Sequence, residues 1–127
     1  MPYVEVLAPR AAAAEKRRLT QAVTDGIVRV FDVAPSTVTI DFVRVGTDGY
    51  AHAGTCGLPP AGARVFVKLH ASRRNADQRR AVAEAMTPAL AACFDTPAHN
   101  VAIYFIDRER DEVAHEGHLA SDEATDT

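Results

Sequence analysis

The chain of 127 residues contains one pattern twice, and every matching pair is separated by the same offset, that from Phe31 to Phe94. The matching residues are the pairs Phe31-Asp32 and Phe94-Asp95, the alternating sets Val38, Ile40, Phe42 and Val101, Ile103, Phe105, and the loops Ala51-His52-x-Gly54 and Ala114-His115-x-Gly117. A register that persists through two elements and a loop indicates an internal duplication rather than chance similarity of two amphipathic segments. We therefore expect two copies of one structural unit.

Each copy has the pattern of a β-α-β unit. Residues 2–7 predict a strand, residues 12–31 a helix with apolar side chains at helical spacing, and residues 38–45 an alternating strand that is half exposed. In the second copy the strands are 65–70 and 101–106. Asn75 and Gln78 form a capping-box pattern before the intervening helix. Pro88 inside that helix predicts a bend near Ala85.

These units predict an α+β fold. Strands joined by a crossover helix pair in parallel, and two units meeting edge to edge form a four-stranded sheet with both helices on one face. The other face would stay bare, so we expect a symmetric oligomer to cover it. We predict one domain, 1–118, made of repeats 2–55 and 64–117. Residues 46–62 form a linker with a short hairpin at 51–55, and residues 119–127 form a disordered acidic tail.

Composition narrows the class of protein. With 47% hydrophobic and 24% charged residues the chain is typical of a soluble globular protein. No apolar run is long enough to cross a bilayer and the N-terminus does not resemble a signal peptide, which predicts a cytoplasmic protein with Cys56 and Cys93 as thiols. Residues 107–127 hold eight of the 17 acidic residues, so the remainder carries 12 basic against nine acidic ones. That small excess does not indicate nucleic-acid binding, but converging arginines would suit a small anion.

The start of the chain carries the first chemical candidate. Met1 before a small residue such as Pro2 is normally removed after translation, which would leave a secondary amine at the start of a strand. Such an amine can take a proton or add to a carbonyl group, provided that burial and nearby cations depress its pKa.

Pro2 at the start of a duplicated β-α-β unit resembles the tautomerase superfamily over about residues 2–117. The first half is similar to 4-oxalocrotonate tautomerase through Pro2, Glu15-Lys16 and Tyr50. The second half is similar to the cis-3-chloroacrylic acid dehalogenase group through Leu69-His70, Arg74, Ala76-Asp77 and the run 101–105. The resemblance implies that Pro2 is the catalytic amine, Arg74 binds a carboxylate, and Tyr104 and Tyr50 line the pocket. It also implies a homotrimer.

The sequence departs from these families at polar positions. The dehalogenase group has a histidine where this chain has Ile27, an arginine where it has Ala71, and a water-activating glutamate where it has His115. These losses argue against hydrolytic dehalogenation, although Glu116 is adjacent to the last position. The tautomerase pattern's strand arginine is Thr39 here, and its first-turn arginine survives only loosely as Arg10.

Residue type and position suggest further candidates for the binding site, independently of the family resemblance. Arg73 and Arg74 precede a helix N-terminus and suit a carboxylate, and His70 at a strand end is a candidate pocket residue. His52 and His115 match across the repeat, but no metal-ligand spacing includes them, so we expect loop or interface roles and no metal site.

Together these patterns predict a cofactor-free isomerase that moves a proton in an enol or 2-keto carboxylic acid. Pro2 is the base, Arg74 and Arg73 hold the carboxylate, and Tyr104 or Tyr50 stabilises the enolate, with His70 nearby. Two alternatives stay open: a lyase, hydratase, dehalogenase or decarboxylase of a 3-carbon acid on the same proline, and a non-catalytic oligomer of the same fold. We expect neither a nucleic-acid nor a membrane partner.

Overall fold

The computed structural model describes residues 1–60 and 62–123 and contains a four-stranded sheet with two helices packed on one face. Along the chain the elements are β1 (Tyr3–Ala8), α1 (Ala13–Phe31), β2 (Thr39–Arg44), β3 (Ala51–His52), β4 (Thr55–Cys56), β5 (Val65–Ala71), α2 (Ala76–Cys93), β6 (Val101–Asp107), β7 (Ala114–His115) and β8 (His118–Leu119). This arrangement confirms the predicted α+β fold and both β-α-β units.

The two units meet through antiparallel strands at the centre of the sheet. The strand order is β2-β1-β5-β6, with parallel pairing inside each unit. Between the units, β1 runs antiparallel to β5, so that Tyr3 lies opposite His70 and Leu7 lies opposite Phe66. The first strand of each unit therefore starts at the opposite end of the sheet from the other.

The duplication extends to single hydrogen bonds. The Gly57 amide donates to the Tyr50 carbonyl over 2.8 Å, and at the equivalent positions of the second copy the Ala120 amide donates to the Val113 carbonyl over 2.9 Å. Both bonds close a short hairpin, β3–β4 in the first unit and β7–β8 in the second. The predicted hairpin in the linker is therefore present, and the second unit has its counterpart.

The core lies between the sheet and the helices. Alternate side chains of the inner strands, such as Val4 in β1 and Val67 in β5, are fully buried beneath the apolar faces of the two helices. Cys93 belongs to this core, as predicted, whereas Cys56 is exposed, and both are free thiols. No layer of the described residues covers the opposite face of the sheet, which exposes large side chains that include Tyr104, 56% exposed.

Helix α2 begins with the predicted capping box. The Asn75 side chain accepts from the Gln78 amide over 2.8 Å, and the Gln78 side chain accepts from the Asn75 amide over 3.0 Å. The helix continues through Pro88 to Cys93. The bend that we predicted near Ala85 stays a prediction.

The predicted tail starts within the second hairpin. Leu119 ends β8, and Ala120–Asp122 form one turn of 3-10 helix. Residue 61 of the predicted linker and residues 124–127 of the predicted tail lie outside the described residues, and the domain limit at residue 118 stays a prediction. In the part of the chain that the structure describes, no helix has the length and apolar character needed to cross a bilayer.

Close packing of the two helices depends on Gly26. This buried residue of α1 faces α2, and a Cβ atom added to it would lie 3.2 Å from the Cβ of Ala85. Because both atoms are fixed by backbone, a larger side chain at position 26 has to push the helices apart.

We predict that Gly26→Val lowers the free energy of unfolding by about 1–3 kcal/mol, because it overpacks the helix interface. Urea unfolding at a fixed protein concentration measures the change. Arg29→Val, on the exposed side of the same helix, is the control and should cost only about 0.5 kcal/mol through helix propensity. Adding Ala85→Gly should recover part of the loss, and a Gly26→Val variant as stable as the control would contradict this account of the interface.

Candidate active site

Pro2 lies buried at the start of an inner strand. Its carbonyl oxygen accepts a hydrogen bond from the Thr39 amide over 3.2 Å, which continues the β1–β2 pairing by one residue. Because β1 is antiparallel to β5, Pro2 lies beside the end of β5 at Ala71. Strand β6 is parallel to β5 and ends at the same edge. The N-terminus of the first unit therefore meets the loops that follow β5 and β6 of the second.

These loops enclose a cavity of about 580 Å³ at the N-terminus. Its lining comes from Met1 and Thr37 of the first unit and from the end of β5, the segment after β6 and the second hairpin, namely Ala71, Ser72, Arg108, Glu109, Arg110, Val113, His115, Ala120 and Glu123. One cavity thus combines the chain start, two arginines, a histidine and two carboxylates.

The N-terminal amine has an environment that favours its neutral form. Burial, followed by the positive charge of Arg74, lowers the pKa of the Met1 amine. Arg110 acts in the same direction, while Glu123 opposes it. A cation near an amine disfavours the protonated form, and desolvation does the same. Pro2, the next residue, is buried in the chain that carries Met1, whereas Met1 itself is 59% exposed.

Arg74 lies beside the cavity rather than in its lining. Its guanidinium group stacks on the Phe31 ring at 4.5 Å from the centroid and donates to the Ser72 carbonyl over 2.9 Å and to the Ser72 hydroxyl over 2.5 Å. Ser72 itself lines the cavity. These contacts hold the charge of Arg74 in one place, close enough to lower the pKa of the N-terminal amine.

Arg73, which we predicted as a second carboxylate ligand, points to a different partner. Its side chain is 78% exposed and forms an ion pair of 3.2 Å with Asp107. Arg79 binds the other oxygen of the same carboxylate over 2.5 Å. The structure therefore places Arg73 in a surface cluster and not in the lining of the cavity.

His70 lies on the bare face of the sheet, next to the cavity. Its Nε2 is 2.7 Å from a carboxylate oxygen of Glu5, and its Nδ1 accepts from Nε and Nη2 of Arg108 over 3.3 and 3.2 Å. Because Nδ1 accepts, Nε2 carries the proton and donates to Glu5. The Tyr3 ring stacks on the imidazole with centroids 5.5 Å apart. His70 thus holds Arg108, and it is Arg108 that reaches the cavity.

The two predicted tyrosines lie away from this cavity. Tyr104 stands in the middle of β6 on the bare face, opposite Lys68, and stacks on Phe66 at 6.3 Å. It precedes the end of its strand by three residues, or about 10 Å at the usual rise of a strand. Tyr50 lines a different cavity, where its hydroxyl accepts from the Arg64 amide over 3.0 Å.

The second hairpin decides which residue of the His115-Glu116 pair faces the cavity. His115 lies in β7 and lines the cavity, whereas Glu116 occupies the turn with a φ of 54° and is exposed. Ile27, at the position of the dehalogenase group's histidine, is fully buried in the core. Glu116 therefore does not line the cavity beside His115, and Ile27 brings no polar group to it.

Sequence reasoning missed Arg108, Arg110 and Ser72 as cavity residues. Both arginines follow β6, and Ser72 follows β5. The parallel pairing that we predicted for these strands places both ends at one edge of the sheet. The missing information was the antiparallel β1–β5 pairing, which brings Pro2 to that same edge.

The site combines a partly desolvated amine with positive charge. No three histidine, cysteine, aspartate or glutamate side chains in residues 1–60 and 62–123 are grouped so as to hold a metal ion. The arrangement can bind a small anion and exchange a proton with it at the amine.

Comparison with solved structures identifies proteins of the same fold. No protein-family model and no curated protein matches the chain. Among solved structures, the F6 fused 4-OT asymmetric trimer matches with a TM-score of 0.83 and 21% identity, over 94% of this chain and 96% of that one. Pt0534 inactivated by 2-oxo-3-pentynoate matches with a TM-score of 0.82 and 19% identity, over 94% and 97%.

More distant members of the same fold match as well. N1, of the cis-3-chloroacrylic acid dehalogenase family, has a TM-score of 0.74 and 18% identity over 92% of this chain and 82% of its own. Macrophage migration inhibitory factor of Toxoplasma gondii has a TM-score of 0.77 and 13% identity, over 92% and 98%. The chain therefore has the fold of the tautomerase superfamily, in the form in which two β-α-β units are fused.

Proposed function

We propose that the protein is a cofactor-free tautomerase that interconverts enol and keto forms of a small 2-keto carboxylic acid. The base is the secondary amine of Pro2, which becomes available when Met1 is removed. The observation that carries this proposal is the cavity at the chain start, where burial and then Arg74 lower the pKa of the Met1 amine, one residue from the Pro2 nitrogen.

Positive charge in and beside the cavity supports a carboxylate substrate. Arg108 lines the cavity and donates to His70 through Nε and Nη2, and no acceptor among the described residues binds its Nη1. Arg74 lies at the edge of the cavity, where it donates a hydrogen bond to the hydroxyl of the lining residue Ser72. We assign carboxylate binding to Arg108, with Arg74 adding positive charge beside the cavity, in place of the pair Arg73 and Arg74. The inactivation of Pt0534 by a 2-oxo acid is consistent with this substrate class.

The proton transfer uses a single nitrogen. The Pro2 amine takes the hydroxyl proton of the enol, the oxygen becomes a carbonyl, and the electron pair of the carbon–carbon double bond takes the proton back from the ammonium at carbon. An amine with a lowered pKa suits both steps, since its neutral form accepts the proton and its ammonium form returns it readily. The arginines stabilise the negative charge of the enolate between the steps.

The residues at the hairpin favour tautomerisation over addition of water. Hydration needs a base that activates water, and the dehalogenase group's glutamate position is His115 here. Glu116 is exposed in the turn of the hairpin and does not line the cavity. Glu109 lines the cavity, but its carboxylate caps the turn Arg110–Glu112.

A homotrimer is the proposed assembly. The bare sheet face exposes Tyr3, Val43 and Tyr104, and fused 4-OT proteins of this fold form trimers. Tyr104 of one chain lies too far along β6 to reach its own cavity, so its predicted role at the enolate requires a neighbouring copy. The predicted roles of Arg73, His70 and Tyr50 as direct substrate ligands have no such support, since none of the three lines the cavity.

We predict that the purified protein has the intact mass of a chain without Met1 and that Pro2→Ala lowers kcat for an enol 2-keto acid by about 10²–10⁴-fold, the usual contribution of general acid–base catalysis. The loss arises because a primary amine on a more flexible residue replaces a buried ring nitrogen. Spectrophotometric turnover measures it.

A matched control separates the amine from the side chain. A variant with one extra lysine between Met1 and Pro2 keeps the proline but turns its nitrogen into an amide, so it should be as inactive as Pro2→Ala. A fully active protein that retains Met1 would overturn the proposal. Turnover of an acetylenic or halogenated acid at rates above those for the enol would favour the hydratase alternative instead.

We expect the environment that lowers the pKa of the Met1 amine to act on the adjacent Pro2 amine as well, and this predicts how activity depends on pH. The neutral amine is the active form, so kcat/KM should rise with pH through the pKa of the amine and level off above it. Removing a nearby cation raises that pKa, and Arg74→Gln should therefore move the rise to higher pH and lower activity at pH 7. Arg73→Gln, which removes a neighbouring but exposed arginine, should leave the midpoint in place. Equal midpoints in all three proteins would contradict the electrostatic role of Arg74.

Substitution of Tyr104 tests whether the bare sheet face is buried between chains of the trimer. Tyr104→Lys places a second cation opposite Lys68, and we expect it to shift the sedimentation of the protein from three chains of 13.6 kDa toward one. Glu84→Lys, on the exposed side of α2, should leave the trimer intact. Dissociation of the Glu84 variant alone would place the interface on the helical layer.

A further inference from the structure

A second cavity, of about 600 Å³, lies at the opposite end of the sheet. It is formed where the second unit begins, in front of β5. Its lining comes from the β3–β4 hairpin with Tyr50 before it, from residues 57–60, and from Gly62, Arg64 and Asn100. Its chemically active lining groups are Tyr50, His52, Cys56 and Arg64. The proposed tautomerase reaction uses none of them.

This cavity is the counterpart of the N-terminal cavity in the duplicated fold. At the offset that relates the two copies, six of its lining residues correspond to lining residues of the first: Arg64 to Met1, Asn100 to Thr37, Tyr50 to Val113, His52 to His115, Gly57 to Ala120, and Pro60 to Glu123. The same hairpin hydrogen bond closes both walls. The duplication has therefore preserved a pocket at each end of the sheet.

The two cavities differ in charge. The N-terminal cavity contains Glu109 and Glu123 beside its arginines. The second cavity has Arg64 and His52 and no aspartate or glutamate among its described lining residues. No carboxylate in the described chain pairs with the Arg64 guanidinium group. An arginine without an acidic partner in a concave site attracts anions, and its planar donors match a carboxylate.

Tyr50 supplies a second donor in the same cavity. Its hydroxyl oxygen already accepts from the Arg64 amide over 3.0 Å. The hydroxyl hydrogen is therefore directed away from that bond and can be donated to a ligand. Leu58, Pro59 and Pro60 provide apolar wall surface for a short carbon chain.

We propose that this cavity is a second binding site, which takes a small monocarboxylate between the Arg64 guanidinium group and the Tyr50 hydroxyl. The position that Pro2 occupies in the first unit is held here by Val65, an internal residue whose nitrogen is a peptide amide. The second site therefore binds its ligand without proton transfer. The proposal does not depend on the tautomerase reaction.

Cys56 provides a local readout, because it lines the cavity and is exposed, whereas Cys93 is buried and its thiol pKa is raised by burial. Crotonate, which has neither an enol nor a keto group, is the probe. We expect it to slow alkylation of Cys56 by neutral iodoacetamide, as followed by mass spectrometry, while its neutral analogue crotonamide leaves the rate unchanged. Equal protection by crotonate and crotonamide, or none by crotonate, would overturn the proposal.

Arginine variants assign the protection to a cavity. Arg64→Gln should weaken crotonate binding about tenfold or more, since it removes a charge-assisted hydrogen bond, and should leave turnover at Pro2 unchanged. Arg74→Gln, beside the first cavity, should leave the protection of Cys56 unchanged. Protection that survives Arg64→Gln, or that is lost in Arg74→Gln, would overturn the assignment.

Calorimetric titration gives a second measurement that does not depend on the thiol. Arg64→Gln should remove crotonate-binding heat that wild type shows, and Tyr50→Phe, which keeps the ring, should weaken the same binding. Titrations of both variants that match wild type would overturn the proposal even if the alkylation rates changed.

Discussion

Antiparallel pairing of β1 with β5 is the contact on which the site depends. Each β-α-β unit by itself would hold its first strand beside only its own second strand, with the start of the chain at an uncovered edge. Because Tyr3 pairs with His70, the two units run in opposite directions along the sheet. The start of each unit therefore lies next to the loops of the other unit in the same chain. Both cavities follow from this one register, because each is formed where the start of one unit meets the edge of the sheet at which the other unit ends.

With this pairing, the helices cover only one of the two faces of the sheet. Both helices lie on one face because the crossover connections have the same hand, and the two units present that face together. What remains on the other face is a mixture of polar contacts and exposed apolar rings. The Glu5–His70–Arg108 chain belongs to it, while Tyr104 and Phe66 form an aromatic pair that nothing in the described chain covers. A face of this kind holds an arginine in position for the cavity and still offers apolar surface to another copy.

Sequence reasoning captured what is repeated and what is periodic. The constant offset between the copies, the alternation of Val38, Ile40 and Phe42, and the capping box at Asn75 predicted the principal strands and helices closely. It was weaker where function depends on which ends of the strands meet. Neither Arg108 nor the second cavity could be predicted, since the relative direction of the two units has no local pattern and is set by long-range packing. The resemblance to known families named Pro2 and Arg74, but it could not show that Asp107 engages Arg73.

Joining two equivalent units in one chain makes their first residues chemically different, because the second unit is preceded by a peptide bond. A chain has a single N-terminus, so only one of two equivalent cavities can contain a terminal amine. At the other, the matching nitrogen lies within a peptide bond, where it donates hydrogen bonds but has no basic lone pair. Arg64 at that boundary restores positive charge to the cavity but cannot restore a base.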